Sequence, residues 1–234
     1  MNYRWLLFDL DNTLFDFDTA EVKALAQTLA QFGLVYTPEI GDLYHRINSK
    51  IWRAFERGEL TAVQLRVSRF QQLFAELGAQ IDPATFSRQY LQNLGACSDL
   101  MDGAEAVVNT LRQTCQLALI TNGLSEVQRP RLANSTIGQW FTAVVISDEL
   151  GIAKPDPGIF DAVFAQMGQP AKSDVLMIGD SLSSDIQGGV NYGLDTCWYN
   201  PQGKPNPNGL VPTYEIRHLS QLLGLNGLDA WHEN

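Results

Sequence analysis

After residue 100, short apolar runs alternate with stretches whose apolar residues recur at helical spacing. The apolar runs are, in order, CQLALIT, TAVVIS, VLMIG, TCWYN and TYEI. Strands that alternate with helices indicate a parallel sheet covered by helices, because parallel neighbours need a long crossover connection. The run at residues 3–9 has the same apolar character but stands alone near the start of the chain. We therefore expect it to join the same sheet.

A helical block separates that first run from the others. Four segments between residues 18 and 95 carry helical apolar spacing, and Thr37 and Thr61 are typical residues for capping two of them. The sequence thus predicts an α/β fold with a Rossmann-like parallel-sheet core and an inserted four-helix cap domain. The predicted core comprises residues 1–16 and 99–234, and the predicted cap comprises residues 17–98.

Charge and composition restrict the partners and the compartment. The formal net charge of −10 at pH 7 opposes binding to a nucleic-acid polymer, which needs a basic footprint. A small phosphorylated substrate remains compatible with it, because local cations overcome a global field. No run of about 18 apolar residues suggests a membrane span, and no secretion signal is expected. The three cysteines form no CxxC pattern, so we expect reduced thiols and a cytoplasmic protein.

Polar residues follow four of the predicted strands. Ligands of open α/β sheets bind beyond the carboxyl ends of the strands, so these residues are expected to converge. They are Asp9 and Asp11 after the first strand, Thr121, Asn122 and Gly123 after the second, Lys154 beyond the third, and Asp180 and Asp185 after the fourth. Clustered carboxylates repel one another unless a cation compensates, and Mg²⁺ prefers carboxylate and water oxygens. The fixed charge of Lys154 makes sense if an anionic substrate also enters.

Each of these patterns is weak by itself. A DxDxT sequence arises by chance, TNG is a common turn, and a lysine before proline is usually exposed. The GDSLSSD stretch also fits a loop that caps a helix. All four patterns in this order, each after a strand, favour a single site.

The chain resembles the haloacid dehalogenase-like (HAD) superfamily in four ordered motifs, namely Asp9-Leu-Asp11-Asn-Thr13, Thr121-Asn-Gly, Lys154-Pro, and Gly179-Asp180 with Asp185. The helical block directly after the first motif resembles the alpha-helical cap type. The resemblance implies that Asp9 is a nucleophile that forms an aspartyl-phosphate and that Asp11 is the general acid and base. It also implies a divalent ion, Mg²⁺ or alternatively Mn²⁺, bound by the Asp9 side chain, the Asp11 backbone carbonyl and Asp180.

The same resemblance implies roles for the remaining motif residues. Thr121, Asn122 and Lys154 would hold the phosphoryl oxygens, and Asp185 would lie outside the metal ligands, orienting Lys154 or a metal-bound water. The stretches IWRAFERGELT and GLDTCWYNP…KPN…PTYEIR resemble the YjjG-type branch of pyrimidine 5′-nucleotidases. We therefore expect a metal-dependent phosphomonoesterase acting on (pyrimidine) nucleoside 5′-monophosphates.

Four aromatic residues are candidates to stack on the base, since aromatic faces accept bases without strict sequence preference. They are Phe15, Phe17, Trp52 and Phe55. Trp52 and Phe55 fit the core of the cap equally well. Phe15 and Phe17 flank the entry to the cap.

Two other functions stay open at this point. One is a HAD phosphatase or phosphosugar mutase acting on phosphoglycolate or sugar phosphates, because the cap sets specificity in this architecture. The other is a receiver-like phospho-accepting signalling domain, since receivers also gather acids, a threonine and a lysine at a sheet edge. Receivers have no inserted helical block, and they accumulate phosphoaspartate instead of releasing phosphate.

Overall fold

The structure is a computed structural model that describes residues 3–207 and 209–225, without the side chain of Glu56. Its sheet contains β1 (Trp5–Phe8), β2 (Gln116–Thr121), β3 (Ala143–Ile146), β4 (Val175–Gly179), β5 (Asp195–Tyr199) and β6 (Tyr214–Ile216). Neighbouring strands all pair in parallel, in the order β3-β2-β1-β4-β5-β6. The predicted α/β fold with a parallel sheet is confirmed.

Helices lie between most of these strands and after the last one. They are α1 (Phe17–Gln31), α2 (Pro38–Glu56), α3 (Ala62–Leu77), α4 (Pro83–Gly95), α5 (Ala104–Leu111), α6 (Ser125–Asn134), α7 (Ser147–Leu150), α8 (Pro157–Gln166), α9 (Gln187–Tyr192) and α10 (Gln221–Leu225). The first four follow β1, as the predicted insertion requires. The sequence does not predict α5, because it begins after Gly103, which has a φ of 73° and no side chain to cap the helix.

Both faces of the sheet are buried, because side chains alternate along each strand. Leu6 and Phe8 of β1 point to the face that α5 covers with Val108, and Leu7 points to the face that α8 covers with Phe160. Strands with buried residues on both faces read as continuous apolar runs, which explains the pattern in the sequence.

The chain divides into two compact units. Among the described residues, 3–17, 99–125 and 132–225 form one unit, and 18–98 with 126–131 form the other. The predicted core also takes in residues 1–2, 208 and 226–234, which lie outside the described part of the chain. The second unit is built from α1 to α4 around stacked and edge-to-face aromatic rings, including Tyr44, Phe70 and Tyr90. In the described residues, no helix is both long and apolar enough to cross a bilayer.

The central strand β1 marks the switch point of the sheet. The chain passes outward from β1 to β2 and β3, and it returns to the other side of β1 to form β4, β5 and β6. Ligands of doubly wound sheets with this order bind in the crevice where the strand order reverses. Asp9 follows β1 and Asp180 follows β4, so both residues leave the sheet at this crevice.

Candidate active site

Three acids that lie far apart in the sequence meet at the switch point. Asp9, Asp180 and Asp185 each present a carboxylate oxygen within 4.8 Å of the other two. Asp9 directly follows β1 and Asp180 directly follows β4, whereas Asp185 lies on the single helical turn Leu182–Ile186. That turn has the wide π-type hydrogen bonding that is common at functional sites.

Asp185 is held in place by its own loop and by the end of β4. The amide of Ser181 donates to Asp185 Oδ2 at 3.0 Å. The Asp185 carboxylate packs directly over Gly179, where a Cβ atom would overlap it. Glycine at position 179 is therefore required by the close approach of the carboxylate.

Lys154 links the acids and is almost fully buried, with 1% of its surface exposed. Its Nζ donates to Asp9 Oδ1 at 2.5 Å, to Asp185 Oδ1 at 2.7 Å and to the Ile120 carbonyl at 2.8 Å. An ammonium group has three donors, so all of them are used. In this arrangement, Lys154 neutralises the acids and has no donor left for a phosphoryl oxygen.

The charges in this cluster shift one another's ionisation. Burial and the charge of Asp185 raise the pKa of Asp9 to about 7, against the opposing charge of Lys154. Burial, Asp185 and Asp9 hold the pKa of Asp180 well above its usual range. Burial lowers the pKa of Lys154, but the charges of Asp185 and Asp9 raise it by a larger amount, so Lys154 stays protonated. The site is thus short of positive charge.

Threonines orient the nearby polar groups. The Thr13 hydroxyl donates to Asp9 Oδ2 at 3.2 Å, so both oxygens of the Asp9 carboxylate are fixed. Thr121 ends β2 and is buried, and its Oγ1 accepts a hydrogen bond from the Gly123 amide at 3.1 Å. Asp11 is half-buried in the tight turn after β1, and its charge contributes to the raised pKa of Asp9.

Binding of phosphoryl oxygens by Asn122 stays a prediction. Its side chain is bonded to Lys154, since Oδ1 accepts from the Lys154 amide at 2.7 Å and Nδ2 donates to the Lys154 carbonyl at 2.9 Å. A side chain bonded at both ends to the backbone of another residue positions that residue. Asn122 therefore fixes Lys154.

The four aromatic candidates fall in different places. Phe15 is 0% exposed in the core of the sheet-containing unit, so its assignment as a base-stacking residue is wrong. Its apolar ring is more stable among Leu14, Leu100 and their neighbours than in water. Phe17 is half-buried, and Trp52 and Phe55 meet edge-to-face at 5.7 Å within the four-helix unit. For these three residues, substrate stacking stays a prediction.

Sequence reasoning missed the contact between Trp198 and Asp180. Trp198 lies on β5 opposite Gly179, is 3% exposed, and donates its indole N–H to the Asp180 carbonyl at 2.9 Å. A tryptophan in an apolar strand looks like a core residue, so the only available signal is its polar N–H, which needs a partner when buried.

The donor set fits a hard divalent cation. Three clustered carboxylates face one ammonium group, and the raised pKa values of Asp9 and Asp180 report the uncompensated negative charge. Mg²⁺ takes carboxylate, carbonyl and water oxygens, and no sulfur or imidazole ligand is present among the three acids. The residues therefore suit the metal expected from the sequence.

Comparison with known proteins agrees with this site. Residues 3–193 match the family described as haloacid dehalogenase-like hydrolase. The chain is 34% identical to pyrimidine 5′-nucleotidase YjjG of Escherichia coli (strain K12), covering 95% of this chain and 97% of YjjG. It is 37% identical to pyrimidine 5′-nucleotidase PynA of Streptococcus pneumoniae (strain ATCC BAA-255 / R6), covering 95% and 94%.

A solved structure shares the whole fold. The crystal structure of YfnB from Bacillus subtilis bound to magnesium superposes with a TM-score of 0.91 and 38% identity, covering 97% of this chain and 99% of YfnB. HAD hydrolases typically use Mg²⁺, in keeping with the acids found here. The chain is therefore an enzyme, a phosphatase that belongs to the haloacid dehalogenase-like hydrolase family.

Proposed function

We propose that this phosphatase hydrolyses nucleoside 5′-monophosphates, with pyrimidine nucleotides preferred, through an aspartyl-phosphate on Asp9. The observation that carries the proposal is the Lys154 ammonium bridging Asp9 and Asp185 beside Asp180. A fixed nucleophilic carboxylate, oxygen ligands for a divalent ion and a buried cation are the groups that phosphoryl transfer requires.

The metal would be Mg²⁺ or Mn²⁺, held by the Asp9 and Asp180 carboxylates and the Asp11 backbone carbonyl. When bound, the ion offsets the repulsion between these carboxylates and a phosphate dianion. The magnesium in YfnB supports this assignment. Asp185 contacts Lys154 at 2.7 Å, which supports a role in orienting Lys154.

The residues of the chain would carry out two displacements. A carboxylate oxygen of Asp9 attacks phosphorus, the bond from phosphorus to the ester oxygen breaks, and Asp11 gives its proton to the departing alkoxide. Asp11 then takes a proton from a water molecule that attacks the same phosphorus. The bond from phosphorus to Asp9 breaks, which releases inorganic phosphate and restores both carboxyl groups.

Surrounding residues would prepare these steps. Thr13 and Lys154 hold the two oxygens of Asp9 in fixed positions, so little reorientation is needed before attack. Thr121, at the end of β2, would bind the phosphoryl group, and Asn122 would act by fixing Lys154. The pyrimidine preference rests on the names of YjjG and PynA, and Phe17, Trp52 and Phe55 remain candidates to contact the base.

A steady-state screen tests the proposal. Phosphate release is measured with Mg²⁺ for UMP, dUMP, CMP and AMP, and for phosphoglycolate and several sugar phosphates. Pyrimidine nucleotides should show the largest kcat/KM. A larger kcat/KM for phosphoglycolate or a sugar phosphate would replace the nucleotide assignment with that substrate, and release limited to one phosphate per protein would favour a receiver-like domain.

The covalent step has its own test. After acid quenching during turnover, intact-protein mass spectrometry should show the added mass of one phosphoryl group, on the peptide that contains Asp9. Asp9→Asn should show neither the adduct nor turnover while its circular dichroism spectrum stays unchanged. Normal turnover by this variant would contradict Asp9 as the nucleophile.

A further inference from the structure

The loop that follows β5 is held rigidly by one buried asparagine. Asn200 is 2% exposed; its Oδ1 accepts from the Lys204 amide at 2.8 Å, and its Nδ2 donates to the Lys204 carbonyl at 3.0 Å and to Glu215 at 2.8 Å. Gly203 has a φ of 68°, and a Cβ atom there would overlap the Arg217 guanidinium. The backbone position of Lys204 is therefore fixed, although its side chain is exposed.

This loop lies beside Asp180. Trp198 pairs with Gly179 in the sheet and donates its indole N–H to the Asp180 carbonyl at 2.9 Å. Asn200 follows two residues later, at the same carboxyl edge of the sheet. Because the Asn200 side chain holds the Lys204 backbone, Lys204 is fixed beside Asp180 at this edge of the sheet.

The buried cation of the site, Lys154, already has hydrogen-bond partners. All three donors of Lys154 are bonded to Asp9, Asp185 and the Ile120 carbonyl. A phosphate monoester dianion must also approach a protein of net charge −10 and a cluster of carboxylates. An exposed cation at the rim of such a site raises the local concentration of an anionic ligand.

We propose that Lys204, presented by the loop that Asn200 fixes, is a substrate-binding residue that attracts and contacts the phosphate group. Asn200 is a positioning residue, because it acts only through Lys204. A backbone fixed in advance lowers the entropy that is lost when the side chain engages the anion. This inference rests on the proposed phosphatase reaction and adds a residue outside the four motifs.

The central test compares two lysines that lose the same charge. Lys204→Gln should lower kcat/KM for UMP about tenfold at low ionic strength, mainly through KM, and the loss should shrink severalfold in high salt. Lys172→Gln is the matched control, since Lys172 is exposed and precedes β4 at the opposite edge of the sheet. It should leave KM unchanged. Equal KM and equal salt dependence in Lys204→Gln and the wild type would overturn the inference.

Direct binding separates this inference from the proposed function. Isothermal titration of the Mg²⁺-loaded protein with inorganic phosphate needs no turnover, and Lys204→Gln should weaken phosphate binding about tenfold. The same variant should bind Mg²⁺ no more weakly than the wild type, because a cation near the acids has been removed. Weaker binding of both phosphate and Mg²⁺ would indicate a structural defect and overturn the role of the Lys204 charge.

Two further variants complete the test. Asn200→Ala keeps every charge but releases the loop, so it should raise KM in the same direction as Lys204→Gln, and Lys204→Arg should restore most of the phosphate affinity. If Asn200→Ala leaves KM unchanged, the positioning role is excluded. If the wild type releases no phosphate from any monoester, the proposed function fails, while the titration with phosphate still decides the role of Lys204.

Discussion

The side chain of Asn122 is bonded to both backbone polar groups of Lys154, with 2.7 Å from the Lys154 amide to Oδ1 and 2.9 Å from Nδ2 to the Lys154 carbonyl. The two residues lie 32 positions apart in the sequence, on the connections that follow β2 and β3. This pairing sets the position from which the Lys154 ammonium reaches Asp9 and Asp185.

Asn122→Ala should therefore impair catalysis through Lys154. Losing two hydrogen bonds should lower the free energy of unfolding by about 1–3 kcal/mol. A displaced ammonium should lower kcat roughly 10- to 100-fold, because small misplacements of a positioned group are costly. Chemical denaturation and steady-state kinetics measure the two effects. Asn191→Ala, at an exposed asparagine of α9, is the control and should change neither.

Lys154→Met should destabilise the metal-free protein strongly. Asp9 and Asp185 would lose their buried cation, and breaking such a pair by removing one partner costs about 3–5 kcal/mol. Urea denaturation measures the loss, and Lys172→Met at the opposite sheet edge provides the comparison. An equal loss of stability in both variants would show that the Lys154 ammonium does little to stabilise Asp9 and Asp185.

The metal-free protein should lose stability as the pH rises from about 4 to 7. The pKa of Asp9 is raised to about 7 in the folded state from 3.8, so the unfolded state binds fewer protons in this range. Stability then falls with rising pH, and the decline ends once the pH passes the folded pKa. Thermal unfolding in a chelator at several pH values checks the sign, and saturating Mg²⁺ should reduce the decline.

Asp180→Asn should reveal the repulsion between Asp180 and the other two acids. Burial, Asp185 and Asp9 hold the pKa of Asp180 well above its usual range, so the Asp180 charge is unfavourable in the metal-free site. Without metal, the variant should unfold at a higher temperature than the wild type at about pH 8. With Mg²⁺, it should show no stabilisation. A lower unfolding temperature without metal would contradict the repulsion between these acids.

Asp11→Asn should separate the two chemical steps. With UMP, kcat should fall by about 100-fold or more, because the alkoxide leaves without a proton. With p-nitrophenyl phosphate, whose leaving group needs no proton, the variant should release one p-nitrophenolate per enzyme rapidly and then turn over slowly. Stopped-flow absorbance measures that burst. Equal losses on both substrates with no burst would exclude Asp11 as the proton donor.

Gly179→Ala should abolish activity by displacing Asp185. The added methyl group overlaps the Asp185 carboxylate, so Asp185 must leave its contact with Lys154. Gly224→Ala is the matched control, because Gly224 lies in α10 with open space around its Cβ position. The control should leave kcat/KM unchanged and keep or raise stability.

The sequence predicts the sheet and the acids well because their signals are local. Buried parallel strands appear as apolar runs, and Asp9 and Asp180 directly follow two of them. The directions of side chains are set by tertiary contacts that no local pattern encodes. Thus Phe15, two residues before α1, turns into the core, and Asn122 bonds to a backbone 32 positions away.

Positions next to the motifs are still harder to predict. Trp198 and Asn200 act on the site only because β5 lies beside β4, and strand order is not visible in a single strand. Helix α5 lacks a capping side chain at its start, so propensity alone does not locate it. A sequence motif predicts the residues that form a site, whereas the order of the strands determines which other residues contact those residues.

The central place of β1 also determines when the enzyme becomes competent during synthesis. Trp5 pairs with Gln116 on one side and with Val175 on the other, so β1 waits for partner strands that are made much later. Chains fold in this order slowly, because distant segments must close long loops. A nascent chain that has not yet exposed β4 holds Asp9 but lacks Asp180 and Asp185, so the acid cluster stays incomplete until β4 and the turn after it have been made.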